Sequence, residues 1–423
     1  MRLKLQNIGI VSSADINIDG ITLITGENDS GKSTIGKTLY SIIRSFNSVE
    51  ESFNDSKLSF ISKKIDEISS ILVRGKVRSE ADSKILNKAI SQNLDLFIGK
   101  KNDTDTTIQN LRKLYNSLKT YSNNTLKENI LKTINEIEER EGISIDSTQF
   151  MSFELSEYFN LEFGNHTSNY FNKKKSLIEL KTSIDNIVIN IRENMISLEK
   201  MPINFPYKDV IFIESPLFLD KKRKSFNFTD LRNKNNYLNY KINQEPFSKD
   251  IFSSNIKDIK ILNNIIKEII GGNFSYNDKN EIIFNKKGKS FSLNNVATGL
   301  KTFGAIQLLI DNNNLNVDTL LVIDEPEVHL HPTWQVKFAE ILILLSKEFA
   351  IPMVLTSHSP YFIEALEAYS AKHNYRDSTD FYFAQKDKKG ESSRIINVNN
   401  DLNVVLDSIS EAYYTLQDIR NDL

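Results

Sequence analysis

The stretch ITLITGENDSGKSTIGKTLY, residues 21–40, decides the fold. It holds two overlapping matches to the phosphate-loop pattern G-x-x-x-x-G-K-[ST]: Gly26 to Ser33 (GENDSGKS) and Gly31 to Thr38 (GKSTIGKT). Only one of them can cradle a phosphate. Such a loop needs a strand delivering the chain into it and a helix leaving it, so that amide N–H groups and the helix dipole face the anion. The first register meets both conditions. The β-branched run Ile21 to Thr25 ends at Gly26, and a helical pattern follows Gly31. The second register has no strand before it, because Asn28 to Ser30 are turn residues. The candidate nucleotide-binding residues are therefore Gly26, Glu27, Asn28, Asp29, Ser30, Gly31, Lys32, Ser33 and Thr34. Lys32 is the phosphate lysine and Ser33 the magnesium hydroxyl. Lys37 lies five positions on, about 140° around the helix from Lys32, and is expected to point elsewhere. Gly36 falls inside the helix at a cost of roughly 1 kcal/mol, which predicts a close packing contact there.

Bulk composition narrows the classes. A chain of 423 residues implies two domains, or one core with a large insertion. With 39% hydrophobic and 26% charged residues, the balance is that of a globular protein with a real core. The formal charge of −2 gives no global basic field, so DNA contact would need a local patch. Disulfides, cysteine zinc sites and thiol catalysis are excluded, because there is no cysteine. No early apolar run resembles a signal peptide, and none reaches the roughly 18 residues of a membrane span. The expected location is cytoplasmic, with no membrane partner.

The pattern along the chain predicts an α/β core with parallel strands and a large helical insertion. Residues 1–50 carry the first strands and the phosphate loop. Residues 51–205 are polar and read as helical, including TLKENILKTINEIEERE and KKKSLIELKTSIDNIVINIRENMISLEKM. The second of these is expected to form either a short coiled-coil arm or part of a helical bundle. Residues 206–370 return to the core: the strand run in KDVIFIESP, a helix over 256–270, a hairpin in NFSYNDKNEIIFNKKGKSFSL, and the strands TLLVID and IPMVLTS around a helix. Residues 371–423 read as a hairpin and a terminal helix.

TLLVIDEPEVHLHP supplies the second half of a nucleotide site. An apolar strand ends in Asp324 and Glu325. An aspartate at a strand tip can hold magnesium, and the adjacent glutamate can orient or deprotonate an attacking water. The alternative is a solvated acidic turn, which leaves the apolar run Leu320 to Ile323 before the acids unexplained. In VLTSHSP, His358 stands at another strand tip, where it can reach a γ-phosphate or the water. His329 and His331 form H-x-H, but two ligands with no third nearby make a poor metal site.

These segments together resemble the soluble ATP-binding-cassette ATPases of the RecF, SMC and OLD group. The resemblance rests on Gly26–Ser33, on the acidic run at 324–327 with the following HLHP, and on TSHSPYF. It covers about residues 1–50 and 205–370. It implies ATP and Mg²⁺ as cofactors, Ser33 and Asp324 on the metal, and Glu325 and His358 as catalytic residues. A signature motif is also implied, opening a helix and contacting the γ-phosphate of a second copy. Thr298 and Gly299, 26 residues before Asp324, are the candidates. A hydroxyl and a glycine at a helix start offer free N–H groups to an anion; a plain helix start capped by Thr298 is the alternative. Leu300, Lys301 and His331 depart from the family pattern. No Q-loop glutamine is evident, and Glu214 is the candidate for that region. The implied assembly is a homodimer, or a higher homo-oligomer, with ATP sandwiched between copies.

Only 65 residues follow His358, so no fused Toprim nuclease of the OLD kind is expected. The chain is similar to stand-alone ATPase subunits of anti-phage systems, such as the Septu ATPase PtuA and the PARIS ATPase AriA. These would act through a separate effector nuclease. A RecF-like DNA-repair ATPase and an ATP-held assembly scaffold with little turnover are the alternatives. The basic runs Lys173–Lys175 and Lys221–Lys224 are where DNA contact would be sought.

Overall fold

The computed structural model describes residues 1–74, 104–118, 124–141, 147–164, 166–169, 174–192, 195–203, 205–214, 229–244 and 256–409, with positions 84, 85, 88, 171, 219, 226, 419 and 420. Its elements are β1 (Arg2–Ile8), β2 (Val11–Asn17), β3 (Ile21–Thr25), α1 (Lys32–Arg74), α2 (Thr104–Ser117), α3 (Asn124–Glu141), α4 (Ser147–Phe163), β4 (Ser176–Lys181), β5 (Asn186–Arg192), β6 (Met195–Leu198) and β7 (Asp209–Ile213). Then come α5 (Lys234–Asn243), α6 (Ile256–Ile270), β8 (Asn273–Tyr276), β9 (Ile282–Lys286), β10 (Lys289–Ser292), α7 (Thr298–Asp311), β11 (Thr319–Asp324), α8 (Pro332–Phe349), β12 (Met353–Ser357), α9 (Pro360–Lys372), β13 (Thr379–Lys386) and β14 (Ser393–Asn397). The run Lys221–Lys224 and residues 410–418 of the expected terminal helix lie outside the described residues.

The architecture is α/β with a mixed sheet. The strand order is β6-β5-β4-β1-β2-β14-β13-β3-β12-β11-β7. From β13 to β7 every pairing is parallel; β14 runs antiparallel to β13, and β1, β2, β4, β5 and β6 form antiparallel neighbours. Buried parallel strands read as continuous apolar runs, because both faces meet helices. In β3 all five residues are buried. Ile21, Leu23, Leu321 and Ile323 join the core with Phe303, Phe338 and Phe362 of the helices on one face. On the opposite face, Gly36 of α1 closes onto Val322 and Phe212. Tyr40 adds an edge-on contact with Phe212 at 6.1 Å. The close approach expected at Gly36 is therefore present: a Cβ there would stand 2.8 Å from Val322 Cγ1 and 3.0 Å from Phe212 Cε2.

The chain divides into two compact units, residues 1–47 with 147–423, and residues 48–146. In the second unit, α2, α3 and residues 48–74 of α1 are helical as expected. Ile108, Leu111, Leu114 and Leu118 line one face, and Leu126, Ile130, Ile134 and Ile137 another. These are the i, i+3, i+4 spacings of amphipathic helices. Lys64 pairs with Glu136 at 2.9 Å beside them.

Two expectations for the middle of the chain need correction. The second unit spans 48–146, not 51–205. The segment read as a coiled-coil arm or bundle helix is a β-meander: β4, β5 and β6 extend the main sheet from β1. The burial alternates, with Ser176, Ile178 and Leu180 inward in β4 and Ile187, Ile189 and Ile191 inward in β5. So many apolar residues satisfy both periods. The deciding signals were the β-branched run at 187–191 and the turn at Thr182 to Asp185, where the Thr182 hydroxyl accepts the Asp185 N–H at 2.9 Å.

Because Gly36 is walled by Val322 and Phe212, Gly36→Val is expected to destabilise the protein by about 1–3 kcal/mol through overpacking. Chemical denaturation checks this; an unchanged midpoint would contradict the packing.

Candidate functional site

Parallel register builds the site. Ser357 at the end of β12 stands opposite Thr25, the residue before the phosphate loop, and Asp324 at the end of β11 stands opposite Thr356. The carboxyl ends of three strands therefore meet at one edge, where α/β sheets bind ligands. Lys32 is the first residue of α1, so Gly26–Ser33 is the loop and the Gly31–Thr38 match runs into the helix. The loop backbone turns through left-handed conformations at Asp29 and Gly31.

Ser33 Oγ donates to Asp324 Oδ1 at 3.0 Å. Thr356 Oγ1 donates to the same oxygen and accepts the Glu325 N–H at 3.0 Å. This second contact holds Glu325 in a left-handed backbone conformation with φ of 51°, which costs a non-glycine residue on the order of 1 kcal/mol. Lys32 is buried, and its Nζ donates to the Gly26 and Glu27 carbonyls at 3.0 and 2.7 Å. Burial pushes its ammonium below the ordinary lysine value, and the carboxylates of Glu325, Asp324 and Glu327 pull it back.

A cleft of about 450 Å³ is lined by Gly9, Ile10, residues 28–34, Lys37, Phe163 and Glu325. Of the residues singled out from sequence, Asn28, Asp29, Ser30, Gly31, Lys32, Ser33, Thr34 and Glu325 line this one cleft. Gly26 and Glu27 sit behind it as acceptors for Lys32. Lys37 was expected to point away and instead lines the cleft. The 140° separation from Lys32 is right, but Lys37 is four residues from Ser33 and three from Thr34, on the same helix face as both.

His358 Nδ1 stands 3.3 Å from Glu325 Oε1 and 3.4 Å from Glu327 Oε1. Glu327 was part of the recognised motif without a role. It is 4% exposed, and its Oε1 accepts the Ser357 hydroxyl at 2.7 Å and the His358 N–H at 2.9 Å. Gln335 continues the buried network. It donates to the Leu330 carbonyl at 3.0 Å and accepts from Ser359 Oγ at 2.6 Å. Thr356, Ser357, Gln335 and Ser359 were not singled out from sequence. Their only signal was polarity beside the two strand tips.

Thr298 and Gly299 begin α7 and do not line the cleft of their own chain. Thr298 is not the N-cap: Ala297 holds that place, with no side-chain cap. A Cβ at Gly299 would stand 2.6 Å from the His329 carbonyl oxygen, so the glycine lets the helix start touch the turn after Glu327. His331 caps α8, its Nδ1 facing the Thr333 N–H at 3.4 Å. Glu214 lines a second cavity of about 170 Å³ with Asp324, Glu325 and Thr302.

Burial pushes the Glu327 carboxyl above its ordinary range, and the His358 and Ser357 hydrogen bonds pull it back. An acid raised on folding contributes stability that is complete below its unfolded value and fades as pH climbs through the folded one. Glu327→Gln imitates the neutral acid. Its stability deficit against wild type is expected to shrink as pH rises from about 4 towards 8. Thermal unfolding across that range checks this, and a deficit that grows with pH would contradict it.

Comparisons with known proteins bear on this site. No curated protein matches the chain. Among solved structures, it is similar to an SMC head domain from Thermotoga maritima, with 11% identity and a TM-score of 0.40 over 94% of this chain and 98% of that one. An Smc head bound to the C-winged helix domain of ScpA matches at 10% identity and a TM-score of 0.41, over 95% and 98%. An Smc head with a coiled coil and joint from Pyrococcus yayanosii matches at 11% identity and 0.38, over 97% and 99%. A family model matches residues 21–364, from the strand before the phosphate loop to the helix after His358. The chain therefore belongs to the AAA-domain ATPase family described as "AAA domain, putative AbiEii toxin, Type IV TA system".

Proposed function

We propose that the protein is an ABC-type switch ATPase. It closes as a homodimer around ATP, hydrolyses it slowly, and controls a separate effector nuclease in bacterial anti-phage defence. The observation that carries the ATPase reading is the 3.0 Å contact between Ser33 Oγ and Asp324 Oδ1, which joins segments 291 positions apart. The family description, a toxin of a toxin–antitoxin system, supports the defence role.

In this reading the loop amides and Lys32 hold the β- and γ-phosphates. The Ser33 hydroxyl and the Asp324 carboxylate are two hard oxygen donors side by side, a set that suits Mg²⁺. Held there, the ion would offset phosphate charge. Glu325 orients the attacking water and accepts its proton. His358 lies within reach of Glu325 and senses the γ-phosphate end. Thr298 and Gly299 lie outside their own cleft, at an uncapped helix start with N–H groups to spare, which suits contact with the nucleotide of a second copy. ATP then acts as shared glue, and its hydrolysis loosens the dimer.

Lys32→Ala is expected to abolish ATP binding by calorimetry. Glu325→Gln is expected to keep binding while phosphate release falls at least about a hundredfold, and to trap an ATP-dependent dimer visible by light scattering. Normal turnover in Glu325→Gln would overturn its assignment, and a strictly monomeric ATP-bound variant would overturn the sandwich. Wild-type protein that binds ATP without any turnover would favour the scaffold reading. The defence half predicts stable co-purification with a nuclease encoded beside it; salt-sensitive DNA affinity without such a partner would favour a repair role.

A further inference from the structure

A cavity of about 550 Å³ lies outside the nucleotide cleft and shares no residue with it. It opens between the end of α6 and the separate antiparallel sheet β10-β9-β8. Three lysines line it: Lys267 from α6, Lys286 from β9 and Lys287 from the β9–β10 turn. Glu268 is the one carboxylate on its wall, and the rest of the lining is asparagine and glycine.

Local structure brings these lysines together. Lys287 and Gly288 both have positive φ, 48° and 74°, as the tightest hairpin turns require. The turn pairs Lys286 with Lys289 and closes β9 onto β10. A Cβ at Gly272 would stand 2.4 Å from the Asn285 carbonyl oxygen, so the chain leaving α6 lies directly on β9. At Gly271 a Cβ would stand 3.8 Å from Lys286 Nζ, so that ammonium hangs over the end of the helix that carries Lys267. The sheet itself is fixed to the core. The Phe274 N–H of β8 donates to Gln307 Oε1 of α7 at 3.0 Å, and Gly304 lets α7 close onto the Phe274 ring.

The charge gathered here is not matched within the protein. Lys267, Lys286 and Lys287 form no hydrogen bond, ion pair or ring contact among the described residues. The carbonyl end of α6 carries about half a unit of negative charge. With Glu268 it offsets about half of the three lysine charges. That helix end is also partly satisfied by backbone, because the Gly272 N–H donates to the Lys267 carbonyl at 3.2 Å. Each ammonium therefore keeps its three N–H donors for something else. Like charges around one concavity repel, and an anion between them removes the repulsion. The volume falls in the range of about 300–1,000 Å³ typical of small-molecule pockets. The lining has no aromatic face on which a base could stack and no apolar wall for a hydrocarbon. Lysine ammonium groups act on phosphate as point charges.

We propose that Lys267, Lys286 and Lys287 form a binding site for a small oligophosphate: a compact molecule with two or more phosphate groups and no large apolar part. The site has no residue in common with the phosphate loop and does not depend on the nucleotide-binding reading above.

Calorimetric titration with inorganic tripolyphosphate tests this, using the full chain carrying Lys32→Ala so that the phosphate loop is disabled. One saturable equivalent is expected. Adding Lys267→Met, Lys286→Met or Lys287→Met is expected to weaken it about tenfold each, with unfolding midpoints unchanged because the three lysines are exposed. Orthophosphate is expected to bind at least about tenfold more weakly than tripolyphosphate. In a chain with Lys32 intact, Lys286→Met is expected to leave Mg-ATP affinity within about twofold of wild type. No tripolyphosphate bound by the Lys32→Ala chain would overturn the site, as would binding that ignores all three lysine substitutions. Sulfate or orthophosphate binding as tightly as tripolyphosphate would show an adventitious ion only. DNA binding more tightly than tripolyphosphate, and weakened by the same substitutions, would make this surface a nucleic-acid contact and overturn the small-ligand assignment. Failure of wild-type protein to bind Mg-ATP would count against the phosphate-loop reading alone.

Discussion

Three strand tips held in one register are the constraint on which the rest depends. β3, β12 and β11 are parallel neighbours, and their pairing leaves Thr25, Ser357 and Asp324 at a common edge. The phosphate loop, the acidic pair and His358 are each a few residues beyond one of those tips. No long side chain has to reach across the molecule. Ser33 meets Asp324 because the helix leaving one strand starts beside the end of a strand two places away. Slipping either pairing by one residue would turn Asp324 to the other face of the sheet, and the site would be lost with it.

Around those tips the protein places buried polar groups that prefer one arrangement. Glu327 is a carboxylate almost out of solvent, and it is tolerable there because the Ser357 hydroxyl and the His358 N–H both donate to it. The same bonds tie the turn after β11 to the tip of β12. Thr356 does this a second time, through Asp324 and the Glu325 N–H. The left-handed Glu325 is thus paid for by its neighbours, and the group that faces the cleft is positioned before any ligand arrives. Gly299 brings the start of α7 against the same turn. A change at the acidic strand tip is therefore mechanically close to the helix that would touch a second copy.

Much of the core was legible because its signals are local. A β-branched run before a glycine loop, an apolar strand ending in two acids, and another ending in Thr-Ser-His each announce themselves in a few residues. The hairpin at 379–397 and the helices at 256–270 and 332–349 followed from the same patterns, whereas the single hairpin expected in NFSYNDKNEIIFNKKGKSFSL is a separate three-stranded antiparallel sheet, β10-β9-β8. The middle of the chain was less readable. From Ser176 to Leu198 apolar residues are so frequent that helical and strand periods both fit. What selected strands was pairing with β1, a partner some 170 positions earlier. Residues 104–141 offered a clean helical spacing and folded accordingly.

By itself the sequence determined the phosphate-loop register, the acidic strand tip and the alternation of strands and helices, because each depends on neighbours along the chain. It also determined that Gly36 had to face something close. Only the tertiary structure decided what Gly36 faces, that Glu327, Thr356 and Gln335 hold the strand tips together, that the meander joins the main sheet, and that Lys37 and Phe163 share a cleft. Each of these depends on which distant surfaces meet. A side chain's direction around a helix can be computed from its position, but whether a wall, a core or water stands in that direction is settled when the other elements pack.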